Sequence, residues 1–355
     1  MRLKPLMYLN EKPKDHLPHV FMESTIINEL FGLEVELEGS GGISIVINDL
    51  VKWWTFHNDG SLRKLKPGDE AIEYVTKKPL TLEEAEEAID VLCKFLNAPG
   101  KNVYDSYRTS IHVHVNCMND TYLHIYNFIT LCIIFDELFV SQNGEHRVGN
   151  NFCLRAKDAQ GQIVTLCDHI TKFGHLFNLE NNLRYSSVNF ASLNKFGTVE
   201  FRSLECTTDV NRIKHWIRTI NALKKASREF SNPQEIISKF SQMGIENFLI
   251  TCLEEQAAKY INVPEHSQMI FEGMRLAQEF AFSAVNWTGY EKKEKKPKWS
   301  GAKWPAPPPP QPELDPVAPA PDYNAWLGEP VPPELGWEAE DNDIDEEFFE
   351  EDDDF

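Results

Sequence analysis

Gly32-Leu33-Glu34-Val35-Glu36-Leu37-Glu38 is the stretch on which the reading of this chain turns. Three aliphatic residues alternate with three glutamates. That is the period of a β-strand with one buried and one acidic face. Two later segments share the design. Ser110-Ile111-His112-Val113-His114-Val115-Asn116 carries two imidazoles two residues apart, and Thr198-Val199-Glu200-Phe201-Arg202 carries a carboxylate and a guanidinium in the same relation. Positions i and i+2 of a strand lie on one face and the residue between them on the other. Leu33, Val35, Val113, Val115, Val199 and Phe201 are therefore expected in the core. Glu34, Glu36, His112, His114, Glu200 and Arg202 are expected together on the opposite face.

Working outward, Gly39 to Gly42 predicts a turn, with residues 43–47 as the returning strand. Further strands are expected over 52–56, 71–75, 162–166, 184–190 and 198–204, the last two flanking a hairpin turn at 194–197. Thr81 and Glu84 make a capping box that opens a helix to about residue 97. Other helices are predicted over 121–140, 209–230, 233–242, 245–260 and 265–285. Strands cluster early and helices late, the pattern of an α+β domain.

The 355 residues have room for one large domain or two ordinary ones, and a hydrophobic fraction of 42% suffices for a core. The net charge of −20 is uneven: residues 338–355 hold twelve Asp and Glu, leaving −8 for the remainder. A mildly acidic domain gives no support to direct nucleic-acid binding through a basic surface. Seven scattered cysteines, never spaced CxxC, speak against a zinc ribbon or a disulfide framework and fit a reducing cytosol. No secretory signal is visible at the start, and the longest apolar run, 128–135, is too short to span a bilayer, so no membrane role is expected. Thirteen prolines lie between Pro297 and Pro333. The expected organisation is a domain over 1–290, a stiff proline-rich linker over 291–337 and an acidic disordered tail over 338–355.

If the three charged strands are neighbours, their polar face becomes a cleft floor crowded with carboxylates. So many like charges cannot all stay ionised without a cation. Oxygen donors with a single imidazole suit Mg²⁺ or Mn²⁺, whereas zinc favours more His or Cys. Arg202, beside such ions, has the fork geometry for a phosphate. Taken singly, each element has a plainer reading. ExE is often a solvated strand face, HxH a hydrogen-bonded structural pair, and ExR a local ion pair. The occurrence of all three in this order weakens those readings.

An ordered set of segments carries a resemblance to a family. It comprises Gly32 to Glu36, His57-Asn58-Asp59-Gly60-Ser61-Leu62, Glu73 to Leu80, Ser110 to Asn116, Arg147 with Asn150-Asn151-Phe152-Cys153, and Thr198 to Arg202. Together they resemble the amidoligase branch of the carboxylate–amine ligase superfamily, which includes glutamine synthetase and glutamate–cysteine ligase. The resemblance covers about residues 30–230. It implies a curved, mainly antiparallel sheet of glutamine synthetase type, with helices on one face and a helical C-terminal half. It implies one metal held by Glu34, His112 and Glu200, and a second by Glu36 and Glu73. Arg202 is implied at the γ-phosphate of ATP and His114 on the nucleotide side. Asp59 and Ser61 are implied near the amine, with Asp59 as base. Arg147 and Arg184 are implied as clamps on phosphate or on a substrate carboxylate. Thr76-Lys77-Lys78-Pro79 departs from the Ser-x-Pro-Pro commonly found after the matching glutamate.

The implied reaction is ATP- and Mg²⁺-dependent (or Mn²⁺-dependent) amide formation through an acyl phosphate. The carboxylate and amine come from small molecules, peptides or proteins, in a bacterial cytosol or a phage-infected host. No Gly-x-x-x-x-Gly-Lys-Ser/Thr sequence offers a P-loop instead. Two rivals stay open. A metal-dependent hydrolase also uses HxH with acids. A non-catalytic protein would retain the sheet and dock a protein partner through the acidic tail ending in Phe355, with charge steering and an aromatic anchor.

Overall fold

A computed structural model describes residues 6–16, 29–176, 179, 184–284 and 287, all within one compact unit, Met1–Lys293. The expected linker and acidic tail lie outside the described residues.

The centre is an antiparallel sheet of seven strands: β1 (Phe31–Ser40), β2 (Trp54–His57), β3 (Glu70–Thr76), β4 (Asn102–Val103), β5 (Ser110–Asn116), β6 (Val188–Asn189) and β7 (Thr198–Glu205). Their spatial order is β2-β3-β1-β5-β7-β6, with β4 paired to the end of β1. The three charged segments are thus adjacent, β1 beside β5 and β5 beside β7. The face parity holds: Leu33, Val113, Val115, Val199 and Phe201 are fully buried and Val35 nearly so. Eight helices among the described residues accompany the sheet: α1 (Asn48–Val51), α2 (Leu82–Leu96), α3 (Tyr122–Gln142), α4 (Gln160–Phe173), α5 (Ser192–Phe196), α6 (Val210–Ala226), α7 (Pro233–Leu253) and α8 (Pro264–Ala281). On the apolar face Phe201 meets Phe128 of α3 and Trp216 of α6 at 5.9 Å between rings, while Trp54 Nε1 donates to the Ala88 carbonyl of α2. α3 is long and apolar enough to cross a membrane, but 83% of that stretch is buried, as befits a core helix.

The capping box forms as expected. The Glu84 amide donates to Thr81 Oγ1 and the Thr81 amide donates to Glu84 Oε2. Replacing Thr81 by Ala removes one cap acceptor and is expected to cost about 1 kcal/mol of stability in a urea titration; an unchanged midpoint would contradict the role.

Several local expectations are corrected. Residues 43–47 form no strand. Both edges of β1 are already occupied, by β3 on one side and by β5 and β4 on the other. The Gly42 and Ser44 amides donate instead to the Glu70 carboxylate, each at 2.7 Å. Gly39 is required there, because a Cβ would lie 2.3 Å from the Asn102 carbonyl oxygen. Residues 162–166 belong to α4: Ile163, Leu166 and Ile170 are buried at helical spacing while Val164 is exposed. The strand expected over 184–190 shortens to Val188–Asn189, and the turn at 194–197 is the end of α5, closed by Gly197 in the left-handed region. The helix break expected near residue 244 is present, as Gly244 (φ 76°, ψ 169°). The second segment then ends at Leu253 and continues as a 3-10 turn over Glu254–Lys259.

Candidate active site

The polar face of the sheet is set by register. Glu36 stands opposite Glu73 of β3, Glu34 opposite His112 of β5, and Gly32 opposite His114. His114 stands in turn opposite Glu200 of β7, and Asn189 of β6 opposite Glu200. β5 and β7 change register between Ile111 and Val113, so β7 carries an extra residue at the level of Arg202 and Ser203. Such a bulge bends the strand and re-aims its side chains.

Two groups of donors result, each with ligand atoms within 4.8 Å of one another: Glu34, His114 and Glu200, and Glu36, Asp59 and Glu73. The first group differs from the implied set in its imidazole. His114 Nε2 lies 3.2 Å from Glu34 Oε1, and its Nδ1 is 3.0 Å from Thr198 Oγ1. His112 sits between the groups. Its Nδ1 is 3.1 Å from Glu34 Oε2 and 3.6 Å from Glu200 Oε1, and its Nε2 is 2.7 Å from Ser110 Oγ, which also donates to Glu36. The second group gains Asp59, expected instead at the amine. One of its oxygens accepts from the Ser61 amide at 2.6 Å in a side-chain turn. Glu200 accepts from Asn189 Nδ2 at 2.7 Å, Ser192 Oγ at 3.0 Å and Arg202 Nη1 at 2.6 Å.

Electrostatics separate the two groups. Burial works to raise the Glu34 carboxyl, but hydrogen bonds and charge from His112 and His114 hold it well below its ordinary value. Burial also opposes ionisation of Glu200, yet His114, Arg202 and His112 lower it. Burial opposes the charge on His114, whereas its hydrogen bond to Glu34 and the charges of Glu34 and Glu200 raise it. Among the described residues Glu73 has no imidazole partner, and the charge of Arg202 lowers it only in part. Burial and the charges of Glu34, Glu36 and Asp59 push it up to about 7. The first group contains its own imidazole, whereas the second is made of carboxylates alone and is offset in part by Arg202. Carboxylates with one imidazole fit hard divalent ions of the magnesium or manganese kind.

Glu34, Glu36, Asp59, Glu73 and His112 line a cleft of about 270 Å³, with His114 and Glu200 outside its lining. Arg202 and Arg184 both reach it, as do Asp59 and Ser61. Arg147 does not. It is fully buried, and its Nη2 donates to the Arg202 carbonyl at 2.7 Å, so it braces β7 rather than clamping a substrate. The cleft also contains Arg108, Phe152 and Tyr185. Of these, Phe152 belongs to the Asn150–Cys153 segment, to which the sequence assigns no role, while Arg108 and Tyr185 have no spacing that marks them. Arg108 lies 4.4 Å over the Tyr107 ring and Arg184 lies 4.6 Å over that of Tyr185. Among the described residues neither forms an ion pair with a carboxylate, in contrast to Arg202.

The family model described as "Putative amidoligase enzyme" matches residues 23–224, more than half of the chain. A search of curated proteins gave no match. Among solved structures, a bifunctional glutathione synthetase from Pasteurella multocida is similar at 10% identity and a TM-score of 0.32, over 72% of this chain and 48% of that one. The chain therefore spans about half the length of that protein.

Proposed function

The chain belongs to the amidoligase family, and from that premise we propose that it is an ATP-dependent carboxylate–amine ligase that makes an amide through an acyl phosphate. The observation that carries this reading is the convergence of two acid groups from β1, β3, β5, β7 and the 57–66 loop, beside two guanidinium groups, of Arg108 and Arg184, without carboxylate partners among the described residues. The sheet is read as being of the glutamine synthetase type for the same reason: its polar face is the floor of the cleft.

A carboxylate is a poor acyl donor because its leaving oxygen is strongly basic. Transfer of the γ-phosphoryl group onto that oxygen makes phosphate the leaving group, and attack by a neutral amine then forms the amide. Phosphoryl transfer needs positioning and charge neutralisation more than covalent help from the protein. Glu34, His114 and Glu200 would hold one divalent ion and Glu36, Asp59 and Glu73 a second, with His112 between them. The ions, when bound, would offset phosphate charge and align the reacting oxygens. Arg202, anchored at Nη1 by Glu200 and at Nε by the Phe152 carbonyl, would present Nη2 to the transferring group. Arg108 and Arg184, stacked on tyrosines, meet the other phosphate or carboxylate oxygens. The seven cysteines are all unpaired, which fits a reducing, ATP-containing cytosol.

The test uses ATP, Mg²⁺ and pooled carboxylates and amines. ADP is expected only when both pools are present, and ¹⁸O from a labelled carboxylate is expected in the released phosphate. ADP formed without either pool, or bond cleavage that needs no ATP, would instead favour a hydrolase.

Glu73 gives the reading a pH dependence. Its carboxyl rises from 4.5 to about 7 in the folded, metal-free chain. The fold keeps a proton that the unfolded chain releases near 4.5, so the metal-free protein loses stability as pH rises between those values. An ion entering beside Glu73 must displace that proton. Mn²⁺ affinity of the second group is expected to weaken by about tenfold per unit as pH falls well below 7. Proton release on binding should be near one per ion at pH 6 and near zero at pH 8. Calorimetry in buffers of different ionisation enthalpy reads this directly, and release that does not change with pH would contradict it.

A further inference from the structure

Glu38 is the third carboxylate on the polar face of β1, and neither donor group includes it. It is fully buried. One of its oxygens, Oε1, accepts a hydrogen bond from the Arg63 amide at 2.7 Å, while Oε2 has no hydrogen-bond partner. A buried carboxylate with a half-satisfied head is costly, and an apolar residue would sit there more cheaply if filling space were its task. Opposite Glu38 in β3 stands Ala71, and the loop that follows β2, residues 58–69, reaches Glu38 through the Arg63 amide.

That loop carries Asp59 and Ser61, and it is otherwise bonded chiefly to itself. The Ser61 amide donates to Asp59 Oδ1, the Leu62 amide to the Asp59 carbonyl at 3.3 Å, and Arg63 Nη1 to the Gly60 carbonyl at 2.6 Å. Farther on, the Lys66 amide donates to Asp69 Oδ2 at 2.7 Å, and Asp69 in turn accepts from Tyr104 Oη at 2.7 Å. The Asp69 contact pins the far end of the loop. Glu38 pins the end next to Asp59, and it does so from the strand that bears Glu36, two residues away. On its other side the Asp59 turn leaves the sheet at His57, which is paired with Glu73, so Asp59 is held between the β2–β3 pairing and the bond from the Arg63 amide to Glu38.

We propose that Glu38 is a positioning residue: by holding the Arg63 amide it keeps the Asp59 turn against Glu36 and Glu73, and so sets the affinity of the second cation site without touching the ion. The consequence for cations rests on the ligase reading; the hook itself does not.

Two measurements separate them. Hydrogen exchange in the metal-free protein reads the hook. In Glu38→Leu the Arg63 amide is expected to lose protection by at least about tenfold while the amides of β1 and β3 keep theirs. In Glu38→Gln, whose amide oxygen still accepts, protection should be retained. Mn²⁺ titration reads the consequence. Glu38→Leu should bind the first ion as the wild type does and the second about 10- to 100-fold more weakly, the usual effect of removing an outer-shell support. Glu38→Gln should stay within about threefold of wild type by the same measure. Unchanged Arg63 exchange in Glu38→Leu overturns the hook. Loss of the second ion in Glu38→Leu and Glu38→Gln alike overturns it too, because the charge rather than the bond would then be what matters. A wild-type chain that takes up no second Mn²⁺, with the exchange result intact, overturns the two-site reading and leaves the hook standing.

Discussion

Glu200→Gln is expected to lower ATP turnover on the order of 1,000-fold, the scale seen when one preorganised electrostatic contact is removed from a buried site. Glu200 is 5% exposed, and its two oxygens accept from Asn189, Ser192 and Arg202. Glutamine keeps the volume, so the pairing of β5, β7 and β6 should survive. It removes the negative charge, however, and sets an amide N–H₂ against groups that are themselves donors. Arg202 and His114 then lose the carboxylate that balances them, and a cation held there would lose a ligand. The variant should remain folded, at a cost of about 2 kcal/mol for hydrogen bonds to a charged group. Mn²⁺ affinity and turnover should fall together. Glu87→Gln, on the exposed face of α2, is the control and should leave both unchanged. Wild-type turnover in Glu200→Gln would remove the first donor group from the mechanism.

Gly273→Ala is expected to cost about 2–3 kcal/mol of stability, a large loss for the addition of one methyl group. α8 crosses α3 so closely that a Cβ at Gly273 would lie 2.1 Å from the Ile134 carbonyl oxygen and 2.8 Å from that of Ile133. The obstacle is backbone in the buried core helix, so it cannot swing aside as a side-chain tip would. The helices must separate, opening the contacts of Ile270, Ala277 and Phe280, all fully buried. Alanine's helix propensity returns about 1 kcal/mol and does not offset this. A urea titration of Gly273→Ala beside exposed Glu272→Ala reads the difference. Equal midpoints would mean that α8 stands off α3 and that the C-terminal helices are not part of the same core.

The strand faces were legible because their signal is strict alternation. Once Leu33, Val35, Val113, Val115, Val199 and Phe201 are assigned to the core, Glu34, Glu36, His112, His114, Glu200 and Arg202 must share the other side. Parity is silent on register, and register decides the partners. His112 and His114 share a face, so their spacing cannot say which closes on Glu200. Pairing of Glu34 with His112, together with the β7 bulge, brings Glu200 opposite His114. Arg147 matched a motif yet is buried beneath β7, because a short motif match carries no information about depth. Arg108 lies in a turn without periodicity and reaches the cleft only through tertiary packing. The apparent strand at 162–166 shows the limit of short apolar runs, whose helical spacing emerges only when Ile170 is included.

The central claim is that two cations sit side by side on the polar face of the sheet. Anomalous diffraction at the manganese edge, from crystals grown with Mn²⁺ and a non-hydrolysable ATP analogue, addresses it most directly. Two peaks are predicted, one among Glu34, His114 and Glu200 and one among Glu36, Asp59 and Glu73, with phosphate oxygens reaching both. Absence of manganese from this face, or peaks confined to carboxylates elsewhere on the surface, would contradict the ligase assignment.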